Sequence, residues 1–271
     1  MKRTNTDPTA APRAATSTIT FIGSGNVATH LAMALHAVGH TILQVFSREY
    51  DHAARLADAV GASATDRLNH LRDDADVYIL AVSDDALYEL PLDLRFPQAL
   101  VLHTSGSTPI TVLDRISRRN GVVWSPQTFV RDIAIDYQHL PLCIEGSNAA
   151  ATAAIEGLFS SVTPHIYRLD HAQRCRAHLA AVMVSNFVNA INGEAQALMQ
   201  HCGLDFNMLR PLAEQTLRKW DYGDLRRQQT GPAVRHDNKT LAMHRRMLAD
   251  DPTLLQLYDM MTEIIQAHDI R

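Results

Sequence analysis

From Thr18 onward the chain alternates short apolar runs with stretches whose apolar residues recur at helical spacing. Thr18–Ile22, Thr41–Phe46, Val77–Val82, Leu100–His103 and Val122–Trp124 are brief and largely apolar, which predicts buried strands. Between the first two, Leu31, Ala34, Leu35 and Val38 mark a helix over Val27–Val38 that stops at Gly39. Asp51–Val60, Arg67–Arg72 and Ile110–Arg118 predict further helices. Strand alternating with helix implies an α/β fold with a mainly parallel sheet covered on both faces. Pro141–Glu145 and His165–Leu169, around a helix at Asn148–Phe159, predict two more strands of the same domain.

Beyond Asp170 the strand signals cease. One long helix is predicted from His171 to His201, stopped near Gly203. Others are predicted over Asn207–Asp221, from Asp237 or Asn238 to Leu248, and over Pro252–His268. The chain therefore divides into a flexible tail (1–17), a sheet domain (18–170) and an all-helical domain (171–271). The tail is rich in Thr, Ala and Pro and has neither an apolar core nor the apolar stretch of a secretory signal.

Composition narrows the partners. A net charge of −4 with both signs interspersed, and no basic stripe joined to aromatic residues, gives no expectation of nucleic acid. No stretch approaches the roughly 18 uninterrupted apolar residues of a membrane span. Cys143, Cys175 and Cys202 are widely spaced and odd in number, which predicts reduced thiols in a cytoplasmic protein. The 14 histidines sit in no metal-binding frame, so no metal site is expected.

The chemistry starts where the first strand ends, at Gly23-Ser24-Gly25-Asn26-Val27-Ala28. A Gly-x-Gly-x-x-Ala turn between a strand and a helix is the Rossmann arrangement for a dinucleotide. The first Gly permits the turn, the second admits a pyrophosphate, and the small third residue lets helix and strand pack. Gly23, Gly25, Asn26 and Val27 are thus candidate cofactor contacts, with helix amides facing the anion. A NAD-specific unit places an acid at the end of the second strand, about 20 residues on. Here Ser47-Arg48 occupies that position. A hydroxyl beside a guanidinium suits a 2′-phosphate, so NADP(H) is expected over NAD(H), with Glu49 turned into the next helix.

Later strand ends add candidates. Val82 and Ser83 lie where ribose and phosphate would pass, and Asp84 reads equally well as a helix cap. His103-Thr104-Ser105-Gly106-Ser107 would stand near the nicotinamide. There Ser105 is a candidate contact, and His103 is either catalytic or a buried strand histidine. Gln127, in Pro126-Gln127-Thr128-Phe129, is a candidate substrate contact.

On the long helix, a 100° step puts His178, Ser185, Asn186, Asn189 and Asn192 on one face. Asn is a poor helix former, so three of them suggest specific partners. That face either looks into a substrate cleft, with His178 and Asn186 catalytic and Asn189 binding substrate, or forms a seam in a dimer. In the loop Thr230-Gly231-Pro232-Ala233-Val234-Arg235-His236-Asp237, Arg235 is a candidate clamp for a substrate anion; the other reading is a capped turn with Asp237 as N-cap.

Together the glycine turn, Val-Ser-Asp-Asp, His-Thr-Ser-Gly-Ser, Pro-Gln-Thr-Phe and Thr-Gly-Pro-Ala-x-Arg-x-Asp resemble a bacterial family of NADP oxidoreductases that join a Rossmann-like domain to a helical domain of uncharacterised function. The wider group is similar to pyrroline-5-carboxylate reductase, deazaflavin-dependent NADP reductase, ketopantoate reductase and the 3-hydroxyacid dehydrogenases. The resemblance implies that the helical domain mediates homodimerisation and walls the active site. In one respect the chain departs from the pattern: if Asn186 matches the Asn of the 3-hydroxyacid dehydrogenases, their catalytic Lys falls at Val182. Imine or ketone reduction fits this chain more easily than 3-hydroxyacid oxidation. The expectation is an NADP(H)-dependent oxidoreductase acting on a small anionic carbonyl or imine compound. The competing reading is an NADP-binding sensor without turnover.

Overall fold

Among the described residues, eight strands form one sheet in the order β3-β2-β1-β4-β5-β6-β7-β8. They are β1 (Thr18–Ile22), β2 (Thr41–Phe46), β3 (Ser63–Thr65), β4 (Val77–Leu80), β5 (Leu100–His103), β6 (Asn120–Trp124), β7 (Leu142–Gly146) and β8 (Ile166–Arg168). The computed structural model describes residues 16–90 and 94–267. Every pairing is parallel except that of β6 with β7, where Trp124 faces Cys143. The chain separates into two compact units, and the division falls between Ser185 and Asn186.

In the first unit, helices α1 (Asn26–Ala37), α2 (Tyr50–Val60), α3 (Asp84–Tyr88) and α4 (Ala149–Phe159) connect the strands. Because strand side chains alternate between faces, Phe21 and Ile22 enter different cores. On one face Ile19, Phe21, Val45 and Leu102 pack with Leu31 and Leu35 of α1 and Phe159 of α4. On the other, Ile22, Leu80 and Val101 pack with Leu87, Leu113 and Ile116. Tyr78 stacks on Phe96 there, with ring centroids 3.6 Å apart. Helix α5 (His171–Val182) closes a third cluster, where Ala177 and Ala181 meet Val122, Trp124 and Cys143.

Several predicted elements change on folding. Arg67–Arg72 and Ile110–Arg118 contain only 3₁₀ turns, at Leu68–His70 and Ile110–Leu113. The second crossover needs only to seat Leu113 and Ile116 on the sheet, which a single turn achieves. Strand β3 escaped prediction because it is a three-residue edge strand that buries only Thr65. The predicted helix His171–His201 is interrupted by a π turn at Met183–Phe187, after which α6 (Val188–His201) resumes. A π turn holds more residues per turn than an α-helix, so a constant 100° step does not carry across it. The predicted Asn207–Asp221 helix keeps α-helical geometry only in α7 (Arg210–Arg218), with 3₁₀ turns at both ends.

The second unit completes itself with α8 (Asn238–Met247) and α9 (Pro252–Ala267). Among its described residues it buries Ala233, Leu241, Leu248 and Thr262. Among the described residues of the whole chain, no helix is long and apolar enough to cross a membrane.

Candidate functional site

The turn after β1 forms around a left-handed glycine. Gly23 has φ +111°, and its amide donates to the Phe46 carbonyl of β2 at 2.9 Å. A Cβ at Gly23 would run into the Ala81 carbonyl at the end of β4, so only glycine lets the two strand ends approach. Gly25 then heads α1 with open space where a Cβ would project. No side chain caps α1, and no acid stands in its first turn. Its leading amides therefore present positive partial charge to any anion beside Gly25. Asn26 contributes through its backbone, because its side chain donates to the Phe129 carbonyl at 2.9 Å. The location is the topological switch point of the sheet: β1 is followed by β2 on one side and has β4 on the other.

Ser47 and Arg48 follow β2 directly. The Ser47 amide pairs with the Thr65 carbonyl at 3.1 Å, which fixes the strand end. Arg48 is exposed and has no ion-pair partner among the described residues. Glu49 turns away into the start of α2, where it faces His52 at 3.5 Å. The nearby acid is thus directed elsewhere and the guanidinium remains available.

The ends of β4, β5 and β6 surround a cavity of about 230 Å³. Val27, Val82, Asp84, Ser105, Gln127 and His178 are among its walls, so residues predicted from five separate segments meet here. Trp124 and Phe129 add apolar surface. His178 meets Trp124 edge-on, with centroids 5.6 Å apart at 86°. Gly106 makes room for this ring: a Cβ there would lie 2.8 Å from the imidazole. Among the described residues neither ring nitrogen of His178 has a hydrogen-bond partner. Ser83 caps α3 by accepting from the Ala86 amide at 3.4 Å. Ser105 accepts from the amides of Ser107 and Thr108 at 3.1 and 2.9 Å. Each hydroxyl keeps its proton to donate. Asp84 is the first residue of α3 rather than its cap, and it accepts from the Ser107 hydroxyl at 2.5 Å.

His103 lies inside the sheet at 0% exposure. Its Nδ1 accepts from the Ser105 amide at 3.1 Å, which leaves the proton on Nε2. Burial, aided by the Arg174 guanidinium, pushes its pKa down to about 3. A neutral, enclosed imidazole of this kind shapes the turn below the cavity. The enclosure of His103 supports the buried strand histidine over the proton donor. Arg174, also at 0% exposure, supports the same turn by donating to the Ser105 carbonyl at 3.0 Å and pairing with Glu145 at 2.9 Å.

In the second unit, Asn186 and Asn189 are exposed, the first within the π turn and the second in α6. Arg235 is exposed in a loop shaped by Gly231 at φ +114°, and Asp237 caps α8 through the Thr240 amide at 3.2 Å. A larger cavity of about 950 Å³ lies at the opposite ends of β4 and β5, near Val77 and Leu100, and contains none of the predicted site residues. In a parallel sheet ligands gather at the carboxyl ends of the strands, so the smaller cavity is the relevant one.

Comparison with known proteins agrees with this geometry. Residues 18–104 match the family described as NADP oxidoreductase, coenzyme F420-dependent, and residues 140–265 match a domain of unknown function. A "putative NADP oxidoreductase" from Bacteroides fragilis is 35% identical, superposes with a TM-score of 0.87, and is covered over 98% of its length by 93% of this chain. The chain belongs to this NADP oxidoreductase family.

More distant members of the fold include a reductive aminase from Aspergillus terreus crystallised with NADPH4, cyclohexanone and allyl amine (21% identity, TM-score 0.62, 79% of this chain and 77% of that one). An imine reductase from Myxococcus stipitatus crystallised with NADP+ is 16% identical with TM-score 0.62, over 92% of this chain and 93% of its own. At such identities the likeness is one of fold. A shorter match, 31% over 125 residues, joins 40% of the chain to a UDP-N-acetylglucosamine–N-acetylmuramyl-(pentapeptide) pyrophosphoryl-undecaprenol N-acetylglucosamine transferase of Nitrosomonas eutropha; the chain spans about a third (35%) of that relative's length.

Trp124, Glu145 and Arg174 were not singled out from the sequence of this NADP oxidoreductase. Trp124 looked like the last residue of a buried strand, which it also is. Arg174 stands in a polar stretch of α5 that reads as a solvated face, and no periodicity marks its burial.

Proposed function

We propose that the protein transfers a hydride between NADP(H) and a small carbonyl or imine compound. The reading is carried by α1, whose uncapped, glycine-led start opens on the switch point of the sheet. Gly23, Gly25, Asn26 and Val27 would cradle the diphosphate, with Ser47 and Arg48 on the 2′-phosphate. Val82, Ser83 and Ser105 would then follow the cofactor toward the cavity. Bound there, NADPH supplies the hydride. His178 is the proton donor to the substrate oxygen or nitrogen in this reading, supported by its unpartnered ring at the cavity wall. Gln127 would orient the substrate from the loop after β6.

Asn186, Asn189 and Arg235 extend the proposal to the helical domain, taken from His171 onward, with Arg235 holding a substrate anion. That domain would pair with a second copy of the chain. The open apolar residues of α6 and α7 support this, since α6 and α7 bury none of their residues. Titration with NADPH and NADH tests the cofactor assignment. Arg48→Glu should weaken NADPH about ten- to a hundredfold and leave NADH within about twofold. Equal changes for both would overturn the phosphate role. Tight NADPH binding with no oxidation across a panel of ketones and imines would replace catalysis by sensing.

A further inference from the structure

The loop after β6 crosses the start of α1. Phe129 packs against His30 with centroids 5.4 Å apart, and Val130 offers its carbonyl to His30 Nε2 at 2.9 Å. Two residues beyond Phe129, Arg131 donates from Nη2 to the Ser24 carbonyl at 3.1 Å. Ser24 stands between the two glycines of the turn, so a guanidinium reaches the elbow from 107 residues away.

Arg131 is half-buried, and among the described residues this carbonyl is its one acceptor and it has no carboxylate partner. A guanidinium carries five donors in a rigid fork, so most of its N–H groups lack a protein partner. Nor is a guanidinium needed to fasten the loop, because the side chains of Asn26 and His30 already hold its backbone. A permanent cation beside a helix N-terminus adds to the positive end of the dipole. The pair is unfavourable when the site is empty and favourable when an anion lies between them.

We infer that Arg131 binds the cofactor diphosphate. Its free N–H groups would meet the anion that the α1 amides also face. This rests on the NADP(H) reading of the elbow and divides the work between two arginines. Arg48 meets the 2′-phosphate, which only NADPH carries. Arg131 meets the diphosphate, which NADPH and NADH share. Gln127 and Phe129 line the cavity from the same loop, so an occupied diphosphate site also steadies that wall.

The test measures Kd for NADPH, NADH and adenosine 2′-phosphate with the full chain as wild type, Arg131→Gln and Arg131→Lys, alongside ligand-free melting. Arg131→Gln should weaken NADPH and NADH by one common factor, about ten- to a hundredfold, and leave adenosine 2′-phosphate within about twofold. Arg131→Lys should recover part of that loss, as a point charge without a fork. The ligand-free melting temperature should hold or rise, because a like-charge contact is relieved. Unchanged NADPH and NADH affinities in Arg131→Gln would overturn the inference and leave the elbow reading intact. All three ligands weakened alike together with a lowered melting temperature would reduce Arg131 to a loop anchor and overturn it as well. A wild type that binds neither dinucleotide would overturn the elbow reading, and the inference with it.

Discussion

In the first unit the helices turn their apolar sides to the sheet, and α1 alone buries Ala28, Leu31, Ala32, Ala34 and Leu35. In the second, α6 and α7 bury nothing, although Leu198, Leu212, Leu217 and Trp220 belong to that unit. Leu212 and Leu217 are 65% and 61% exposed. Apolar area kept in water forgoes roughly 25 cal/mol per Å² of stabilisation. The sheet unit thus meets the requirements of a core with its own residues, whereas the helical unit offers surface of the kind that associating proteins cover. The contrast also separates two uses of polar residues. In the sheet unit, His103 and Arg174 are enclosed and hold a turn in shape. In the helical unit, Asn186, Asn189 and Arg235 stand open.

The largest expected effect strikes the enclosed charge. Glu145→Ala leaves the Arg174 guanidinium buried without its carboxylate and should lower stability by about 3–5 kcal/mol in urea unfolding at pH 7. Replacing both residues with leucine should restore much of that loss, because the cost comes from an unmatched buried charge. A loss below about 1 kcal/mol in the single variant would mean that water reaches the pair and the first unit is less closed than its burial suggests.

Next in size is a change on the open unit. Leu212→Glu combined with Leu217→Glu should convert the proposed dimer to monomer by sedimentation velocity, with a dissociation constant raised at least about thirtyfold. If the wild type is already monomeric, or if the double variant remains dimeric, α7 is a solvated helix and the second unit must satisfy its apolar residues otherwise.

The smallest expected effect is a pH dependence. His103 has its pKa pushed down to about 3, by burial first and by Arg174 second. Its contribution is therefore fully present above the unfolded value near 6.5 and is lost as pH falls toward 3. At pH 5 this amounts to roughly 2 kcal/mol. Melting curves between pH 7.5 and pH 5, at about quarter-unit steps, should show a shallower pH slope for His103→Gln than for wild type. Parallel slopes would assign the acid sensitivity to other groups, among them His40, whose pKa burial also lowers.

Much of the sheet unit was legible beforehand. Strands Thr18–Ile22, Thr41–Phe46 and Leu100–His103 coincide with the predicted segments because each is a short apolar run with both faces covered. The glycine turn was legible for a similar reason, since the demands on Gly23 and Gly25 are local to a strand–helix junction. The cavity was legible only in part. Val27, Val82, Ser105, Gln127 and His178 each carry a local signal, but no spacing in the chain reveals that they share one wall. Trp124 signals only the end of a strand, and Arg131 carries no local signal.

The sequence alone determined the alternation of strand and helix, the elbow after β1 and the basic residue that replaces the usual acid after β2. These follow from hydrophobic period and turn chemistry within a few residues of one another. Tertiary structure decided that Arg174 would be enclosed beneath Ser105, 69 residues away, and that Arg131 would reach Ser24 across 107. The π turn that resets the phase of the long helix belongs with them. Such features depend on which surfaces meet once the sheet has formed, and no period along a linear chain encodes a meeting of that kind.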